Sequence, residues 1–305
     1  MIEKLVKFIF FGNYFVGFLA VALSVETAVQ LQLPLNSAAY YLLLFCVTVG
    51  YYTYAYTGIL HSTLQANLSS IWYEKNMPLM ILSQRVLALI SVILGFVTLL
   101  SYYPNILLLP LSYWLVVAGI ACASLLYYGL LPRSILKLNL RNTGWIKAFV
   151  IGLVWAGCVS ILPIIMLRIE GKHYHIDKVI TTGLFIKNWM FCTVNAIIFD
   201  IKDYADDSNK QLKTFVVTFG LRRTISFVLI PLILIGIFAM LGFTSYRHFG
   251  LVPIGINLIP FVLLLAVAYS MNREKSIFYY LIVIDGLVLI KAICGILAMQ
   301  FVTSP

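Results

Sequence analysis

The chain has 305 residues, 62% hydrophobic and 10% charged. A soluble domain of this size carries about 25% charged residues, so the composition excludes an ordinary soluble protein and indicates a polytopic membrane protein. The net charge of +10 could elsewhere suggest nucleic acid, but its distribution along the chain argues for membrane topology, and no nucleic-acid partner is expected.

Apolar runs of spanning length occupy residues 8–25, 38–60, 77–100, 106–128, 146–167, 179–199, 224–241, 252–271 and 277–299. They predict an all-α bundle of nine transmembrane helices in a single domain, 1–305. Short connections make sequential helices antiparallel neighbours. The first run, starting near Phe8, is long and lacks a small-residue cleavage site followed by a soluble domain, so a cleavable signal peptide is not expected. The five cysteines all lie inside apolar runs without zinc spacing and read as small hydrophobes.

Charge orients the bundle. The N-terminus and the connections after helices 2, 4, 6 and 8 hold 14 basic residues, against four (Arg168, Lys172, Lys178 and Arg247) on the other side. The positive-inside rule places the N-terminus in the cytoplasm and the C-terminus outside, in a plasma or inner membrane. Tyrosines and tryptophans gather near span ends, Tyr73, Tyr102 and Trp145 among them. They read as an interfacial belt, a minority being suited to lining an isoprenoid groove. The connection after helix 4 carries Arg133, Lys137, Arg141 and Lys147. These serve as a topology signal facing anionic headgroups, as a basic rim that attracts a diphosphate, or as both.

Several polar residues interrupt the apolar runs. Asp285 and Lys291 share the last run, about 120° apart around a helix, so each is expected to meet another helix or a polar cavity. Together they also leave a transporter open as a third functional class. Lys187 reads as a structural bond or a snorkelling side chain, and Asn195 as an interhelical hydrogen bond.

Directly after the sixth run, eight positions hold four of the chain's eleven acidic residues: Asp200, Asp203, Asp206 and Asp207. On a continuing helix Asp200, Asp203 and Asp207 fall within roughly 60° of one another, and Asp206 points roughly 90° away. Three carboxylates on one stripe repel unless a hard cation such as Mg²⁺ joins them, leaving part of its shell to phosphate oxygens. Lys210 and Lys213 follow and can meet the remaining phosphate charge. The plain alternative is a solvated acidic loop.

The stretch from Asp200 to Gly220 resembles the second aspartate-rich motif of the UbiA-type membrane prenyltransferases: Asp-x-x-Asp-x-x-x-Asp, a short basic loop, Lys213-Thr214, and a glycine before the next helix. The resemblance implies the nine-helix UbiA-type bundle with a cavity opening to the cytoplasm. It implies a metal site of Asp200, Asp203 and Asp207 holding Mg²⁺ with a prenyl diphosphate, and a lipophilic acceptor. Acceptors across the family include aromatic acids, quinone precursors, tetrapyrroles and glycerol lipids. The family's first aspartate-rich motif would fall at residues 54–67, where this chain has no aspartate, and Thr57 stands where an asparagine is usual. Three arrangements are then open. His61, Gln65 and Asn67 bind the diphosphate or its hydration shell, with one metal on the second motif. Glu74 substitutes as a ligand. Or the fold is kept without the chemistry, as a lipid-binding or scaffold protein. Lys210, Lys213, Arg133 and Arg141 complete the expected substrate-binding set, and no catalytic residue is assigned.

Overall fold

The computed structural model describes residues 2–57, 68–128, 144–202, 204, 212–271 and 275–302, which are mostly helical with no strand among them. Among the described residues, six helices are long and apolar enough to cross a bilayer, or seven if the bent pair at the N-terminus counts as one span. Two shorter apolar helices, Ala38–Tyr54 and Leu111–Tyr127, accompany them. The expected nine is reached only by counting these two as spans. The protein is an all-helical integral membrane protein.

The chain divides into two compact units. The first comprises Met1–Ala22, Leu35–Leu109 and Met166–His173. Its first apolar run is not one straight helix: α1 (Ile2–Phe11) and α2 (Tyr14–Gln30) meet at 62°. Asn13 has φ of 61°, the left-handed region that asparagine tolerates better than most residues. A Cβ at Gly12 would fall 2.4 Å from the Phe8 carbonyl oxygen. α3 (Ala38–Thr57) packs along α4 (Leu68–Leu107) through Cys46, Val49 and Leu87.

By its apolar pattern this third run starts at residue 77, with Trp72–Asn76 in a connection. The structure instead begins α4 at Leu68, with Pro78 inside the helix and a kink at Tyr102. Tyr73 explains the extension. It is buried, stacks on Tyr56 with ring centroids 4.4 Å apart, and donates to the Phe11 carbonyl at 2.8 Å. Asn13 donates to both Tyr73 and Thr53. Tyr73 is thus part of the core of this unit and not of an interfacial belt. Glu74, on the next turn position, is exposed.

The second unit comprises Leu23–Pro34, Pro110–Ile165 and Tyr174–Pro305. It holds α5 (Leu111–Tyr128), α6 (Ile146–Ala156), α8 (Lys178–Lys202), α9 (Phe215–Phe219), α10 (Leu221–Thr224), α11 (Ile230–Tyr246), α12 (Leu251–Ser270) and α13 (Asp285–Met299). The short α7 (Leu162–Ile169) passes from this unit into the first. One π-helical turn, Gly157–Ile161, joins α6 to α7, and others precede α11 and α13.

α8 is the axis of this unit, packed against α6 and α11 and mostly buried. Asp177 caps it by accepting from the backbone N–H of Val179 at 2.8 Å and of Ile180 at 3.2 Å. These bonds, the Ile180 N–H foremost, hold the Asp177 carboxyl below the usual carboxylate range. α6 approaches α8 at Gly152, where a Cβ would fall 2.1 Å from Thr193 Oγ1 and 2.9 Å from the Trp189 carbonyl oxygen. A small residue at such a contact lets two backbones meet, which is how helices associate without a hydrophobic driving force between them.

Candidate functional site

Asp200 lies in the last turn of α8 and is buried. Its Oδ1 is 2.8 Å from Lys147 Nζ in the first turn of α6. The two side chains are 5% and 11% exposed, respectively. Each charge sits at the unfavourable end of its own helix: an anion at a C-terminus, a cation at an N-terminus. Their mutual attraction, and not the helix dipoles, accounts for the arrangement.

The turn leading into α6 is built for this position. Gly144 has φ of 67°, which favours glycine, and its carbonyl accepts from the Lys147 backbone N–H at 3.3 Å. A Cβ on Gly144 would fall 2.3 Å from the Lys213 carbonyl oxygen. The segment carrying Lys213 therefore lies directly on the turn that presents Lys147. Phe215 packs against Trp145 and Phe149, and Thr214 caps α9 by accepting from the Val217 N–H. Asp200, Lys147 and Lys213 are thus gathered at one end of this unit.

Of the residues expected to form the site, Asp200 and Lys213 are described. Asp203, Asp206, Asp207, Lys210, His61, Gln65, Asn67, Arg133 and Arg141 lie outside the described residues. Among the described residues, no three His, Cys, Asp or Glu side chains gather as a metal cluster. Asp200 offers a carboxylate oxygen, the donor type that a hard divalent cation takes.

Five residues before Asp200, about 7.5 Å along the helix, Asn195 donates to the Ile284 carbonyl at 3.2 Å. This is the interhelical bond that its sequence position suggested. It falls where the π-helical turn passes into α13, next to Asp285.

A second polar centre lies about 20 Å from Asp200 along α8. Lys187 Nζ is 3.0 Å from Glu26 Oε1, and Lys291 Nζ is 2.6 Å from Glu26 Oε2. All three side chains are at most 2% exposed. Lys187 also donates to Gln30 Oε1 at 2.7 Å, and Gln30 Nε2 donates to Asn257 Oδ1 at 2.9 Å. Arg247 closes the end of α2 by donating to the Gln30 carbonyl and to Gln32 Oε1. A Cβ at Gly295 would fall 2.4 Å from Glu26 Oε1, so only glycine leaves room for the carboxylate.

Both lysines stand out in the sequence, but Glu26 does not, because it falls just past the end of the first apolar run at residue 25. A signal was available. Two lysines deep in apolar runs require an acid, and Glu26 with Gln30 forms an i, i+4 polar pair at the end of such a run.

The family model of the UbiA prenyltransferase family matches residues 78–277, about two thirds of the chain. No curated protein and no solved structure matches. The matched segment contains α6, α8, Asp200 and Lys213 and begins after residues 54–67, which contain no aspartate. The chain therefore belongs to the UbiA prenyltransferase family.

Proposed function

We propose that this protein is a membrane-embedded prenyltransferase, acting as one transmembrane domain over 1–305, that moves an isoprenoid chain from a prenyl diphosphate to a lipophilic acceptor with Mg²⁺. The observation that carries this reading is Asp200. It is a buried carboxylate at the end of a membrane-spanning helix, inside the family match, and it opens an Asp-x-x-Asp-x-x-x-Asp pattern. The oxygen donors of Asp200, Asp203 and Asp207 suit Mg²⁺, which when bound supplies positive charge against the departing diphosphate.

The chain's own residues do the rest. Lys210, Lys213, Arg133 and Arg141 draw the diphosphate to the membrane edge and offset its charge. His61, Gln65 and Asn67 hold its oxygens or their water shell in place of the absent first motif. The apolar helices keep water from the allylic cation while the acceptor reaches it. The C–O bond to the diphosphate breaks with its electron pair leaving on the diphosphate. The acceptor's nucleophile bonds to the allylic carbon and gives up a proton.

The experiment is incubation of membranes containing the protein with labelled prenyl diphosphates and a lipid extract. A labelled lipophilic product that forms with Mg²⁺ and is absent with a chelator is the expected result. Labelled diphosphate retained by the protein without any product would instead indicate a lipid-binding role.

The site is proposed to face the cytoplasm, with the C-terminus outside, on the 14-to-4 asymmetry of basic residues. A reporter fused after Pro305 should be active only on the outer side and one inserted near Ser208 only in the cytoplasm. The same side for both would break the nine-span topology.

A further inference from the structure

We propose that Lys147 is a built-in counter-cation of the diphosphate site: it neutralises Asp200 while no metal is bound, and turns to a diphosphate oxygen when it yields that carboxylate to Mg²⁺. This rests on the prenyl diphosphate reading above and goes beyond it, since it assigns part of the metal's charge to the protein.

Three observations carry it. First, the 2.8 Å pair with Asp200 is almost fully withdrawn from solvent. A buried pair recovers its desolvation cost only with good geometry, so this lysine is matched to this carboxylate and is not a surface charge that happens to lie nearby. Second, the charge balance of the site differs from a two-motif arrangement. Residues 54–67 contribute no carboxylate, so the anionic ligands reduce to Asp200, Asp203 and Asp207. An ammonium beside the first of them makes a smaller metal complement sufficient. Third, the position is constructed. The Gly144 turn and the Lys213 backbone pressed against it hold the start of α6 beside the end of α8. A lysine is a compact charge with three donors on a flexible stem, so it can bond Asp200 and reach a phosphate oxygen with small movement.

The full-length protein, purified in detergent, is titrated calorimetrically with inorganic pyrophosphate in chelator, with Mg²⁺ alone, and with both. In chelator the parent binds pyrophosphate, Lys147→Gln binds it about ten- to a hundred-fold more weakly, and Lys147→Arg stays near the parent. With Mg²⁺ alone, Lys147→Gln binds the ion more tightly than the parent, because Asp200 has lost its competitor. A purely structural lysine would not reverse the two affinities in this way. The double variant Lys147→Gln with Asp200→Asn removes both charges and guards against misfolding. It should recover the parent's unfolding temperature without recovering pyrophosphate binding in chelator.

If Lys147→Gln matches the parent in both titrations, or the double variant regains binding, the proposal is overturned and the prenyl diphosphate reading stands. If the parent binds pyrophosphate neither with nor without Mg²⁺, both readings fall.

Discussion

Mg²⁺-dependent binding of a prenyl diphosphate is expected to drop at least about a hundred-fold in an Asp203→Ala variant and in an Asp200→Asn variant, and to change little in Asp206→Ala. Changing even an outer partner of a metal ligand costs about 10- to 100-fold, so losing a ligand outright should cost more. The contrast with Asp206 follows from the helix period, which turns it roughly 90° from the stripe of the other three. Asparagine is the better choice at position 200. Alanine there would also remove the carboxylate 2.8 Å from the Lys147 ammonium, which is 11% exposed, and breaking a buried pair costs about 3–5 kcal/mol. Calorimetric titration of purified protein with a prenyl diphosphate, with and without Mg²⁺, reads the effect. Equal affinity in all variants and in the absence of Mg²⁺ would return the acidic stretch to a solvated loop.

The second large effect concerns stability. Glu26→Ala leaves Lys187 and Lys291 buried side by side with no carboxylate between them. Removing one partner of a buried ion pair costs about 3–5 kcal/mol, and here one acid serves two bases, so the upper part of that range is expected. The unfolding temperature in detergent should fall by many degrees, and the yield of folded protein with it. Replacing Glu26, Lys187 and Lys291 together by methionine should restore much of the loss, because apolar residues of similar volume replace buried ion networks at little cost. An unfolding temperature for Glu26→Ala within a degree or two of the parent would mean that the centre is hydrated and that α2, α8 and α13 are held by packing alone.

Asp200 and Lys147 show how far the sequence could be read. The acidic cluster and its spacing were visible because charge is rare in this chain, so four aspartates in eight positions stand out. That one of them is held by Lys147 was not visible. The lysine is 53 residues away in sequence, and it read as one member of a basic connection. Gly144 gave no hint of its role either, since its need for glycine comes from the Lys213 carbonyl arriving from a distant segment.

The membrane class and the placing of most spans follow from sequence alone, because a bilayer imposes a length and an apolar composition on each spanning helix separately. The aspartate pattern is likewise local, being a matter of period along one helix. Other features depend on the partners a side chain meets. The break at Asn13 and the early start of α4 around Tyr73 were decided by contacts among α1, α3 and α4. The Glu26 centre was decided by three helices meeting where Gly295 leaves room. Buried charges in a membrane must find one another across the fold, and no local pattern specifies which lysine an acid will reach.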